Sequence, residues 1–109
     1  MGLLGKKKAQ ARWVRVAALA DFAHSLPVSV DGVQYALLRE GDRVWATQAS
    51  CSHEFSPLCD GIVSDGEVYC EKHGSRFRLD DGKLLSPPAT DDIKTFQVKV
   101  EDGDVWLFV

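Results

Sequence analysis

With 109 residues, 45% hydrophobic and 27% charged, the chain has material for one compact core, which excludes a disordered, fibrous or collagen-like protein. A formal net charge of -3 supplies none of the clustered basic surface that nucleic acid requires, so no nucleic-acid partner is expected. The longest apolar runs fall far short of a membrane span, so no membrane partner is expected either.

In chain order, residues 1–12 read as a basic arm carrying Lys6, Lys7, Lys8 and Arg12, of the kind that is usually a solvated tail. The first five residues are too few and too mixed for a signal-peptide core. No twin-arginine pair stands there, and Lys6 occupies the place where a myristoylation signal has Ser or Thr. A cytoplasmic location is expected. Strands are predicted over 13–16 and 28–30, then 33–39 after the Asp31-Gly32 turn, and 43–47 after Glu40-Gly41-Asp42. Only 16–23 has any helical look, short enough for one turn of helix or a crossover loop.

From 48 to 88 the composition changes to Ser, Pro, Gly and Asp, with all three cysteines among strands of a few residues at 61–63, 67–70 and 76–79. Residues 94–100 then alternate, with Phe96, Val98 and Val100 on one face, and a turn at 101–104 leads into a last strand at 105–109. Trp13, Trp45 and Trp106 fall in predicted strands flanked by aliphatics, so all three are expected in the core. The reading is one all-β domain over 1–109. Residues 13–48 and 89–109 form a small antiparallel sandwich or open barrel, and 49–88 form an inserted, loop-rich lobe.

The chemistry is concentrated in that lobe. Cys51-x-His53 and Cys70-x-x-His73 are two Cys/His pairs separated by sixteen residues, each at the end of a predicted strand where a loop begins. In a reducing compartment such residues more often mean metal or catalysis than a disulfide. Two sulfur and two nitrogen ligands suit tetrahedral zinc, or a two-iron centre with two cysteines on one iron and two histidines on the other. Cys2His2 zinc fingers place a cysteine pair before a histidine pair, whereas here each loop supplies one of each, and that layout favours iron.

At this point the sequence closely resembles the Rieske family, and within it the small ferredoxins of bacterial ring-hydroxylating oxygenases. The resemblance rests on Cys51-Ser52-His53, Leu58-Cys59-Asp60-Gly61, the run from Cys70-Glu71-Lys72-His73 through Gly74-Ser75-Arg76-Phe77, and the loop Ser86-Pro87-Pro88-Ala89. It implies the Rieske fold and one [2Fe–2S] cluster, with Cys51 and Cys70 on the buried iron and His53 and His73 on the outer one. It further implies that Gly61 and Gly74 permit turns or close backbone approach, that Phe77 shields the cluster from below, and that the Pro87-Pro88 loop covers its third side. The function implied is one-electron transfer from an NAD(P)H-dependent flavoprotein ferredoxin reductase to a terminal aromatic-ring dioxygenase. The alternative is an accessory small subunit of another oxidoreductase such as nitrite reductase, although many such subunits lack the four ligands.

The departures from the family pattern are specific. Glu71 stands where many relatives have proline, and Glu54 follows His53 where a small residue is common. Ser56 and Lys72 occupy the places where high-potential relatives carry a disulfide, and Phe77 replaces a tyrosine whose hydroxyl lies near the cluster, while Ser75 keeps the matching serine. Fewer donors to the cluster sulfurs raise the cost of added negative charge, so a reduction potential of about -150 mV, the low end of the Rieske range, is expected.

Of the remaining residues, Cys59 reads as a buried spectator thiol and His24 as surface or hydrogen-bonded filler. Phe55, Pro57 and Leu58, between ligands, read as an apolar docking patch for redox partners. A mononuclear oxygen-activating iron needs two histidines and a carboxylate, and only His24 is left over, so the chain itself is expected not to be an enzyme.

Overall fold

The computed structural model describes residues 11–51, 56–70 and 74–109. Residues 1–10 of the 1–12 arm and the expected ligands His53 and His73 lie outside the described residues. Arg12 is no free tail residue: its backbone exchanges bonds with Val109 at 2.7 and 3.0 Å and its guanidinium meets Asp31 at 3.0 Å. Strands run over Trp13–Ala18 (β1), Ser25–Val30 (β2), Val33–Glu40 (β3), Arg43–Gln48 (β4), Ile62–Ser64 (β5), Glu67–Tyr69 (β6), Arg76–Arg78 (β7), Leu84–Ser86 (β8), Thr95–Phe96 (β9), Val98–Glu101 (β10) and Asp104–Phe108 (β11). They pair antiparallel in three sheets, β1-β11-β10, β2-β3-β4-β9 and β5-β6-β7-β8. The all-β expectation holds.

The hairpins are cut by turn chemistry. Asp31-Gly32, Asp65-Gly66 and Asp102-Gly103 each join two paired strands with positive φ at both residues, a conformation that matches the twist of the flanking strands and that Asp and Gly tolerate.

The second sheet is the middle layer, and β3 shows why. Its run Tyr35-Ala36-Leu37-Leu38 is buried throughout, with alternate residues entering different cores. Tyr35 and Leu37 pack with Ala17, Phe22, Val30, Ala46, Val105 and Leu107 against the first sheet. Ala36 and Leu38 pack with Trp45, Leu58, Val68, Phe77, Leu79, Ala89 and Ile93 on the opposite side. Burying side chains of this size contributes about 1.5–3 kcal/mol each, so a strand apolar on both faces fastens the two layers at once.

Polar contacts fix the third sheet on the second. The Glu40 carboxylate accepts the Asp65 and Gly66 N–H groups at 2.8 and 3.0 Å. Asp80 accepts the Trp45 indole N–H at 2.9 Å and the Arg43 guanidinium at 2.7 Å. The indole bond first, and the Arg43 charge after it, hold the Asp80 carboxyl below the usual carboxylate range.

Three sequence expectations need correction. The predicted strand 94–100 is two strands: Phe96 pairs with Ala46 in the second sheet, and after Gln97 Val98 pairs with Leu107 in the first. Phe96 and Val98 face one core while their backbone partners change, and Val100 is exposed. The helical look of 16–23 is a single 3-10 turn, Leu19–Asp21, as its shortness allowed, and β1 continues to Ala18 before it. Strand β8 was not predicted at all. Among the tryptophans only Trp45 is in a core. Trp106 sits between the buried Val105 and Leu107 and so falls on the other face of its strand, half-buried. Trp13, also half-buried, packs on Phe108 with ring centroids 5.1 Å apart, under the Lys99 ammonium at 4.5 Å.

Candidate metal centre

Cys51 lies just past β4 and Cys70 directly past β6, so each sits where a paired strand gives way to a loop. Both loop roots close alike. The Cys51 N–H donates to the Ser56 carbonyl and the Cys70 N–H to the Ser75 carbonyl, each at 2.7 Å and each five residues on. A bridge between Ser50 and Pro57, and the Leu58 N–H to Ala49 carbonyl bond at 2.9 Å, secure the first root. The Gly74 N–H to Cys70 carbonyl bond at 2.7 Å secures the second.

The two thiols share one environment. Cys51 is 0% and Cys70 3% exposed, and both belong to the apolar cluster that contains Leu38, Trp45, Leu58, Val68 and Phe77. Val68 and Phe77 are cross-strand partners, both fully buried, and they present the lobe's inner face to this cluster. Phe77 therefore lies in the core that holds both cysteines. Among the described residues no three His, Cys, Asp or Glu side chains gather as a metal site. The donor set nevertheless fits an iron–sulfur group: two buried thiols at the roots of two matching loops, in an apolar core that excludes water.

Gly61 is required for close approach rather than for its turn, since its φ is an ordinary -82°. A Cβ there would stand 2.6 Å from the Tyr69 carbonyl oxygen and 3.1 Å from that of Leu58. Gly74 has φ +84° beside the second loop, so an L side chain would be strained there.

The segment 86–89 is tied to the residues that follow the second loop. Ser86 Oγ accepts the Arg76 N–H at 3.1 Å and donates to the Gly74 carbonyl at 3.3 Å, while the Ala89 N–H donates to the fully buried Ser75 Oγ at 2.9 Å. Sequence reasoning named Ser86 with the prolines of this loop but gave it no role. The available signal was a serine directly before two residues that have no N–H to donate.

The proposed docking patch is corrected in part. Pro57 is exposed, but Leu58 is fully buried in the core and offers nothing to a partner, and Phe55 lies outside the described residues. His24 is exposed, with its carbonyl accepting the Arg39 N–H at 2.8 Å.

Cys59 is half-buried in the 3-10 turn Leu58–Asp60, packed against the same core. Burial pushes its thiol above the ordinary cysteine range; the Ser25 hydroxyl works against this and the Asp60 charge with it. The folded-state pKa is raised, so the stabilising contribution is fully present below the unfolded value and is lost as pH rises through the folded one. Iodoacetamide should accordingly modify Cys59 of the loaded protein slowly at pH 8. The rate should climb only at more alkaline pH than for a free cysteine, and denaturation should release it at once. Mass spectrometry of the time course checks this, and fast modification at neutral pH would contradict it.

Comparison with known proteins agrees with this geometry. The family model for the Rieske [2Fe-2S] domain matches residues 12–97. The ferredoxin component of the naphthalene 1,2-dioxygenase system of Pseudomonas putida is 34% identical over 98 residues, covering 88% of this chain and 94% of the relative. A chain in the complex of reduced oxygenase and oxidized ferredoxin of carbazole 1,9a-dioxygenase superposes with a TM-score of 0.78 at 30% identity, covering 87% of this chain and 91% of its own. A chain described as the small subunit of an NADPH nitrite reductase superposes at 0.79 and 24% identity, covering 90% of this chain and 99% of its own, and so shares the fold. The chain belongs to the Rieske [2Fe-2S] domain family, whose cofactor is a Rieske-type [2Fe–2S] cluster.

Proposed function

We propose that Cys51, His53, Cys70 and His73 hold the cluster, and that the protein carries single electrons from an NAD(P)H-dependent flavoprotein reductase to a terminal aromatic-ring dioxygenase. The observation that carries this reading is the burial of Cys51 and Cys70 in one apolar core at two loop roots closed by the same backbone bond. When bound, the cluster accepts and releases one electron. The chain's own residues do the rest.

The core around Cys51 and Cys70 keeps water from the thiolates. Ser75 accepts the Ala89 N–H and still has a hydroxyl proton to donate, whereas Phe77 brings no hydroxyl. With a single side-chain hydroxyl in these two places, added negative charge is stabilised less, which supports a potential near the low end of the Rieske range. The relatives' role as ferredoxin components of dioxygenase systems supports the carrier reading over that of an accessory subunit. No helix of the described residues is long and apolar enough to cross a membrane, so a carrier moving between partners is compatible with the chain.

The test is an optical and low-temperature EPR comparison before and after dithionite, followed by a redox titration. A red-brown protein that partly bleaches, gives a Rieske-type reduced signal and titrates at about -150 mV is expected. A colourless, EPR-silent protein containing zinc would overturn the carrier reading, and a clearly positive potential would overturn the account of the missing donor.

A further inference from the structure

The loop over 87–88 cannot be held by its own backbone donors, because Pro87 and Pro88 have none. Its attachments therefore fall on the residues at either side, and both reach the same short segment. Ser86 Oγ bonds the Arg76 N–H and the Gly74 carbonyl; the Ala89 N–H bonds Ser75 Oγ. Residues 74–76 directly follow the Cys70-x-x-His73 pair.

The local ladder explains why a serine is used. Strands β7 and β8 pair Phe77 with Leu84 and Arg76 with Ser86, so Leu85 is bulged out and the register shifts between Arg76 and Phe77. At that irregularity the Arg76 N–H is taken by a side-chain oxygen. The same hydroxyl donates its O–H to the Gly74 carbonyl, so one group accepts and donates at once and bridges both sides of Ser75.

We infer that Ser86 is a positioning residue for the cluster site: it fastens the proline loop to the backbone that follows the second ligand pair, and so sets how far solvent reaches that site. The inference rests on the cluster placement proposed above. Loss of the hydroxyl removes two hydrogen bonds at the loop's entry while leaving Ala89 to Ser75 at its exit. Two such bonds together are worth about 1.4 kcal/mol or more, or about tenfold in an opening equilibrium. Opening admits water, and water stabilises the more negative reduced state, so the potential shifts upward.

The experiment compares wild type, Ser86→Ala and Ser86→Thr as purified, cluster-loaded proteins. Readouts are the redox midpoint, the rate of bleaching by a chelator, and far-UV circular dichroism. The alanine variant is expected to bleach about tenfold faster at an upshifted potential with unchanged circular dichroism, and threonine, which keeps the hydroxyl, is expected to restore both. An alanine variant with wild-type bleaching and potential overturns the inference while leaving the carrier reading intact; a wild type without a Rieske spectrum overturns that reading instead. If the alanine variant fails to load, hydrogen exchange on the wild type decides. The Arg76 and Ala89 amides are expected to be protected together, and free exchange at both sinks the inference.

Discussion

Replacing Cys51 or Cys70 by Ser is expected to abolish the cluster, leaving a colourless protein with less than a few per cent of the wild-type iron and no reduced EPR signal. Each thiol is essentially removed from solvent in the same apolar core, so the site has no exposed position from which water or buffer could take over a lost ligand. Serine is close in shape, but its hydroxyl is far less acidic than a thiol and is a harder donor, poorly matched to iron in a sulfide environment. Cys59 cannot substitute: it lies in a separate 3-10 turn, its carbonyl tied to Ser25 Oγ at 2.8 Å, and its thiol is held in the neutral form. Cys59→Ser is therefore the matched control, expected to retain full iron and colour. Iron analysis alongside the optical spectrum separates the outcomes. Full iron in Cys51→Ser, or loss of iron in Cys59→Ser, would show that the ligand set is drawn wrongly.

The hairpin plan was legible in the sequence because Asp-Gly pairs dictate both the place and the hand of a turn, independently of anything distant. The placement of Cys51 and Cys70 at two loop roots was legible because each Cys/His pair follows a predicted strand, a layout that favours paired loops over a zinc finger. Alternation was less informative where it reported a face without reporting a partner. In 94–100 Phe96 and Val98 keep facing one core as the backbone crosses from β4 to β11, while Val100 turns out exposed, so one periodic pattern covers two strands. Strand β8, three half-buried residues beside a bulge, has no period to read. The run Tyr35-Ala36-Leu37-Leu38 held a signal that simple alternation discards: a continuous apolar stretch in a short strand means burial on both faces, and here it marks the layer shared by base and lobe. Leu58 illustrates the opposite error. A leucine between ligands looks like a docking residue until the 3-10 turn that carries it is seen to point it into the core.

That shared core makes stability and cluster retention one property, and Phe77 tests it. Its ring is fully buried, paired across the sheet with Val68 and packed in the cluster that includes Cys51, Cys70 and Leu38. Phe77→Ala removes the ring's transfer free energy and leaves a cavity, together costing about 3–5 kcal/mol. A domain of this size has roughly 5–15 kcal/mol in all, so the loss is a large share. At about 4–8 °C per kcal/mol, the midpoint of thermal bleaching should fall by at least about 12 °C at a fixed scan rate. Because unfolding releases the cluster, a rate or a bleaching midpoint is the proper measure rather than an equilibrium free energy. Val33→Ala is the control: Val33 is 52% exposed at the start of β3, and its truncation should fall within about 0.5 kcal/mol of wild type. Phe77→Leu, which refills part of the volume, should lie between the two. If Phe77→Ala bleached at the wild-type temperature, the apolar core would not be what retains the cluster, and the hydrogen-bonded loop roots at Cys51 and Cys70 would have to hold it on their own.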